Sequence, residues 1–310
     1  MAKFRQNHTK NRKSGNSFMT RIVIFTVLLI GAIFGGSSFL NDFFNNSGSS
    51  QSGGYEDSSA SYDGSNSQTF TSTDDSYLPS KTDKNQLVRH QYYTLSYNEK
   101  YEIPEWVAYE LTRKSLEAKN VKRAKRFKSD PDVKSKSAKH SDYTHSGYTR
   151  GHLAPAGDMA FNETAMQESF YMSNMTPQIR PFNNGIWKEL EETVRDWAYD
   201  KGSIYVVSGP IMDGISDQIG NNKIGVPKSF YKVIVDENDG IAFEIPHDRV
   251  EERLETFAMS IDDLEKETGI DFFQGIDDAR EQRIESSFNI NKWKLDNKRY
   301  RLRVEKWNKE

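Results

Sequence analysis

The sequence predicts an α+β domain carried behind a long non-globular N-terminal region, and three features point to that class. Residues 203–208, 230–235 and 240–245 are short runs of β-branched and aromatic side chains, a composition that suits half-buried strands. Trp187, Leu190, Val194 and Trp197 recur at three- and four-residue intervals and so line one face of a helix. Ser260 and Asp263 form a helix-start signature, and Gly269 supplies the stop after Thr268. Strands with a few intervening helices, rather than strict strand–helix alternation, define the class.

In chain order, residues 1–21 carry Lys3, Arg5, Lys10, Arg12, Lys13 and Arg21 with no acid, and predict a basic cytoplasmic tail. Residues 22–40 are uncharged and, at about 1.5 Å per residue, nearly cross a bilayer as a helix. The basic flank predicts a single-pass signal-anchor in the cell membrane, with everything after it outside the cytoplasm. A cleaved signal peptide is the competing reading, with Gly35-Gly36-Ser37-Ser38 as a partial cleavage site and a secreted product. Residues 41–88 are rich in Ser, Gly, Asp, Asn and Thr without apolar periodicity, which predicts a flexible linker. That leaves residues 89–310 as the globular domain. The chain has no cysteine, so disulfide staples and thiolate metal sites are excluded and the domain depends on its core.

Within the domain, Tyr93, Leu95 and Tyr97 alternate across 91–98 and predict a strand, with 105–112 as its partner. Asp239-Gly240 marks a tight hairpin between the runs 230–235 and 240–245. The acidic residues just before it lack the twelve-residue ligand pattern of a calcium loop and read as a turn. The helix over 184–200 places Glu191 and Arg195 four residues apart beside the apolar stripe, and Asn183 at its start. The amide groups of a helix start favour an anion there. The basic run 113–128, with Lys114, Lys119, Lys122, Arg123, Lys125 and Arg126, is a candidate phosphate-binding edge. It stands out because the chain's formal net charge is −3. Residues 292–309 are also basic and read as a solvated terminal strand with Tyr300, Leu302 and Val304 on one side.

Two blocks carry chemistry: Tyr148-Thr149-Arg150-Gly151-His152, and Asn183-Asn184-Gly185-Ile186-Trp187-Lys188-Glu189-Leu190-Glu191 followed by Arg195. An imidazole, an amide oxygen, a carboxylate and guanidiniums are the parts needed to cut a phosphodiester beside a divalent metal. Histidine can deprotonate water near neutral pH. A hard cation such as Mg²⁺ takes oxygen ligands and neutralises phosphate charge, and arginine forks clamp the anion.

These blocks, with Ser173-Asn174-Met175-Thr176-Pro177-Gln178 between them, resemble the DNA/RNA non-specific endonuclease family of the Serratia nuclease and endonuclease G type. The resemblance implies a central antiparallel sheet flanked by helices, a ββα-metal site, and DNA and RNA as substrates. It implies that His152 is the general base, that Asn183 is the direct protein ligand of Mg²⁺ (or Mn²⁺), and that Glu191 holds a metal-bound water. Arg195 would face the scissile phosphate, Asn174 would support the site by hydrogen bonding, and Arg126 matches a transition-state arginine. Arg150 matches the arginine of the family's Asp-Arg-Gly-His signature, in which Thr149 here replaces the aspartate. A threonine can hydrogen-bond but brings no charge, so positioning of the site and its rate are put in question. The alternative reading is a membrane-tethered nucleic-acid-binding or uptake component with weak or no cleavage.

Overall fold

A computed structural model describes residues 74–309. The expected basic tail, the apolar segment 22–40 and most of the expected linker lie outside the described residues. Among the described residues no helix is long and apolar enough to cross a membrane.

The strands are β1 (Gln86–Arg89), β2 (Thr94–Asn98), β3 (Ile103–Thr112), β4 (Thr149–His152), β5 (Met175–Gln178), β6 (Ser203–Pro210), β7 (Gln218–Ile219), β8 (Ile224–Gly225), β9 (Ser229–Val235), β10 (Gly240–Pro246) and β11 (Ala258–Met259). The α-helices of five residues or more are α1 (Arg113–Glu117), α2 (Glu163–Glu168), α3 (Lys188–Lys201), α4 (Ile261–Thr268), α5 (Asp278–Glu285) and α6 (Asn297–Glu305). One seven-stranded sheet runs β1-β2-β3-β6-β9-β10-β11 with every neighbouring pair antiparallel, as the α+β reading and the family resemblance implied. β4 and β5 form a separate antiparallel hairpin, and so do β7 and β8.

Strand alternation sorts the residues of β9 onto two faces. Phe230 and Ile234 join the core that holds Trp187, Leu190, Val194 and Trp197 of the helical stripe. Tyr231, Val233 and Val235 join the opposite core, with Ile261 and Leu264 of α4, Ile284 of α5, and Phe272 and Phe273. α3 therefore covers one face of the sheet, and α4 and α5 cover the other. Each fully buried apolar chain contributes about 1.5–3 kcal/mol. Lys232 falls by the same alternation between Phe230 and Ile234 and is fully buried, so it requires a partner.

The turn between β9 and β10 is built by Asp236, whose Oδ1 accepts the backbone N–H groups of Asn238 and Asp239 at 2.7 Å each. The acidic residues there thus cap a hairpin, as expected. Ser260 accepts the backbone N–H of Asp263 at the start of α4, and Gly269 ends it in the left-handed region at φ 70°.

Four expectations change. The folded region begins before residue 89: β1 pairs with β2, and Tyr77 and Leu78 are buried in the core. The strand expected over 91–98 is β2, beginning at Thr94, because the chain turns at His90–Tyr93 with a backbone bond of 2.9 Å. The helix expected from Asn184 is regular only from Lys188, after a π-turn over Asn183–Trp187. The C-terminal basic stretch is the helix α6 rather than a strand, capped by Asp296 on the N–H of Lys298 at 2.7 Å. It is not wholly solvated either, because Arg303 is fully buried. Long unbranched Lys, Arg and Glu side chains favour helix, and the arginine pairs with Glu189 of α3 while donating to the carbonyls of Val250 and Glu252.

Candidate active site

The β4–β5 hairpin sets the histidine. Its register pairs Thr149 with Gln178, Gly151 with Thr176 and His152 with Met175. A Cβ on Gly151 would lie 2.0 Å from the Gln178 side chain, which occupies the space the glycine leaves. Beyond His152 the chain is pinned by the buried Asn174. Its Oδ1 accepts the Ala154 N–H at 2.8 Å, and its amide donates to the carbonyls of Ala154 and Ser169 at 3.0 and 2.9 Å. The turn carrying Asn174 is held in its own right, since the Ser173 hydroxyl donates to the buried Asp130 and His90 Nε2 lies 2.9 Å from the same carboxylate.

The second block enters through the π-turn. Gly185 adopts φ −98° and ψ −112°, outside helical geometry, and a Cβ there would lie 2.6 Å from Asn308 Oδ1. A local π-turn widens the helix start and re-aims its side chains. Asn183 Nδ2 donates to Thr149 Oγ1 at 2.8 Å, and Thr149 Oγ1 donates to the Gln178 carbonyl at 2.8 Å. The threonine thus couples the hairpin to the π-turn with a neutral hydroxyl. With its amide nitrogen committed, Asn183 retains its oxygen for a ligand.

His152, Asn183, Glu191 and Arg195 line one cleft of about 340 Å³, together with Arg123 and Lys188. Three expected residues do not line it: Asn174, which supports it through the hydrogen bonds above, Arg126 and Arg150. Arg126 is exposed, and Arg123, three residues earlier in the same basic run, stands in the cleft instead. Arg150 lies behind the histidine, donating to the His140 carbonyl at 2.6 Å and stacking over Tyr143 and Phe127 at 5.3 and 5.6 Å. The Phe127 ring in turn lies 5.8 Å from that of His152, so Arg150 braces the site from outside the cleft.

Three further residues escaped the sequence reading. Arg195 Nη1 donates to Asp158 at 2.7 Å, and the Tyr109 hydroxyl donates to the other oxygen of that buried carboxylate at 2.7 Å. Lys232 lies under the cleft, with its ammonium 4.6 Å over the Trp187 ring and hydrogen-bonded to Ser208. Only the alternation of β9, which puts a lysine on an otherwise apolar face, signals it in the sequence.

The electrostatics follow from burial. His152 Nε2 is shielded from solvent and has no hydrogen-bond partner among the described residues. Burial, then the nearby Arg123, push the imidazole down to about 3, so it is unprotonated at neutral pH. Burial raises the pKa of Glu191, opposed first by Lys232 and then by Arg195. Burial likewise lowers that of Lys232, opposed first by Glu191. The two groups are one another's principal countercharge.

Histidine and acidic side chains close enough to share one ion occur among the described residues at His90–Asp130–Asp132 and Asp262–Glu265–Glu285, both apart from the cleft residues. The cleft offers a different set, the amide oxygen of Asn183 and the carboxylate of Glu191, all hard oxygen donors that suit Mg²⁺ or Mn²⁺. A larger cleft of about 490 Å³, lined by Tyr77, Lys201, Tyr205, Asp236 and Arg280, contains no histidine, and its Lys201 is paired with Asp236 at 2.5 Å.

A histidine on a β-hairpin facing an asparagine and a glutamate at a helix start defines a class, and residues 74–279 match the model of that class, described as DNA/RNA non-specific endonuclease. The chain belongs to this family. It is 36% identical over 204 residues to the mitochondrial nuclease EXOG of Danio rerio, covering 59% of this chain and 60% of that protein. It is 34% identical over 211 residues to nuclease C1 of Cunninghamella echinulata var. echinulata, covering 62% of this chain and 84% of that one. A crystal structure of an EndoG/EndoGI complex superposes with a TM-score of 0.57 at 32% identity, covering 63% of this chain and 88% of that one. The chain spans about 60% of the length of the EXOG relatives it matches.

Proposed function

We propose that this protein is a metal-dependent endonuclease that hydrolyses phosphodiester bonds in DNA and RNA with little sequence preference. One observation carries the reading: neutral His152 shares a cleft with Asn183, Glu191, Arg123 and Arg195. In this reading His152 takes the proton from the attacking water. Arg123 and Arg195 hold the phosphate oxygens, with Asp158 fixing the Arg195 fork. Asn183 would bind Mg²⁺ or Mn²⁺ directly and Glu191 through a water. Once bound, the ion would supply charge neutralisation at the phosphate and the leaving oxygen. A second cleft lined by Lys122, Lys125 and Gln167 shares Arg123 with the first, which supports a basic path for the nucleic-acid backbone.

The uncharged segment 22–40 after a basic cluster supports a tether that holds this domain outside the cytoplasm at the cell membrane. Fractionation of cells before and after protease treatment checks it. Recovery of the chain as a soluble, protease-protected protein would overturn it.

The activity test is direct. The full chain is incubated with plasmid, single-stranded DNA and RNA in Mg²⁺ or EDTA, beside His152→Ala. Cleavage is expected only in Mg²⁺ and only with the histidine present. Intact substrates in Mg²⁺ would sink the proposal and favour a binding or uptake role.

A further inference from the structure

On the sheet face opposite the cleft, α4 and α5 bring three carboxylates together. Asp262, Glu265 and Glu285 each place an oxygen within 4.8 Å of the other two. Glu285 is only 4% exposed, and its Oε1 is buried with no hydrogen-bond partner among the described residues. It follows Ile284, which packs with Ile261 and Leu264 in the core beneath the helices. An ionised carboxylate left without a donor is among the costliest groups a protein can bury.

The groups that bear most strongly on Glu285 are Glu265, Glu281, Asp262 and Asp271, all of them acids. Glu265 accepts one backbone bond, from the Phe272 N–H at 2.8 Å. Lys266, the neighbouring cation in the sequence, is committed to Asp263 at 2.8 Å. A cation would neutralise this set, in which a buried glutamate with an unpartnered oxygen converges on two further carboxylates.

We infer that Asp262, Glu265 and Glu285 bind a divalent cation, calcium by preference, which ties α4 to α5. The donors are all carboxylate oxygens borne on two helices. Such an irregular hard-oxygen set suits the six to eight flexible ligands of Ca²⁺ better than the near-ideal octahedron and retained waters of Mg²⁺. The site shares no residue with the cleft of His152 and Asn183, so its ion acts on the packing of the helices. Binding to the folded chain alone stabilises it.

The test is calorimetric titration of the full chain with Ca²⁺ in excess Mg²⁺, with melting temperature followed in parallel, for the native protein, Asn183→Ala, Glu285→Gln and Asp262→Asn. One Ca²⁺ per chain and a Ca²⁺-dependent rise in Tm are expected for the native protein and for Asn183→Ala. Affinity should fall at least about tenfold in Glu285→Gln and in Asp262→Asn. Asp262 is partly exposed, so its variant carries the test if Glu285→Gln fails to fold. Absence of Ca²⁺ binding by the native chain overturns the inference, as does undiminished binding in the folded acidic variants or its loss in Asn183→Ala. If the acids instead share protons, no Ca²⁺ heat appears and Glu285→Gln melts higher without added metal.

Discussion

Thr149 and Asn183 are joined by a hydrogen bond of 2.8 Å from amide nitrogen to hydroxyl oxygen, the link between the histidine hairpin and the π-turn. The family resemblance implied an aspartate at 149, and its replacement raised the question of a weakened site. The hydroxyl accepts from Asn183 and donates to Gln178, so it fixes the amide without charge. Thr149→Val is expected to raise the Mg²⁺ concentration needed for half-maximal cleavage by about tenfold or more, and Thr149→Ser to restore it. Equal metal requirements in both variants would show that the hydroxyl does not orient Asn183.

His152→Ala should lower kcat by about 10²–10⁴ while the melting temperature and the affinity for uncut DNA stay near native values. Asn174→Ala, by contrast, removes three bonds at the chain segment after the histidine and should lower both activity and stability. Thermal melts beside single-turnover cleavage separate the two effects.

The pH response follows from the depressed imidazole. The unfolded chain protonates His152 below its ordinary 6.5, whereas the folded protein resists protonation until about 3. The folded state therefore binds fewer protons in that window, and stability falls as pH drops from about 6.5 towards 3. In metal-free buffer, His152→Gln should lose this component of acid sensitivity. Superimposable stability–pH curves for the two proteins would count against the assignment.

Buried Lys232 lies beneath half-buried Glu191 of the cleft, and each is the other's principal countercharge. Removing the cation alone takes away the carboxylate's principal countercharge and leaves it Arg195, which is committed to Asp158, so Lys232→Met should cost about 3–5 kcal/mol in urea unfolding. The double variant Lys232→Met/Glu191→Gln should regain much of that loss. Additive losses would show that the two side chains are not coupled.

Arg303 makes the same kind of argument at the C-terminus. Its buried guanidinium ties α6 to Glu189 and to two carbonyls. Arg303→Met is expected to destabilise the fold by about 3–5 kcal/mol, and Arg303→Lys to recover only part, because an ammonium cannot reproduce the planar fork. A loss below about 0.5 kcal/mol would restore the reading of this stretch as a solvated surface.

The sequence by itself determined the fold class, the central strands, the stripe of α3 and the two chemical blocks. These are local matters of period, β-branched composition and residue order, each written within a few neighbouring residues. The family resemblance of those blocks implied that His152 works with Asn183, Glu191 and Arg195, and the structure gathers the four in one cleft. Only the tertiary structure decided that Arg123 rather than Arg126 enters that cleft, since two arginines of one basic run differ only in where the chain path points them. Asp158 and Arg303 were likewise beyond reach, because a charge is buried by partners distant in sequence, and for Lys232 the strand alternation signals burial but not the countercharge it meets. The role of Thr149 belongs with these, because a hydroxyl gains its meaning from the amide and carbonyl that close around it.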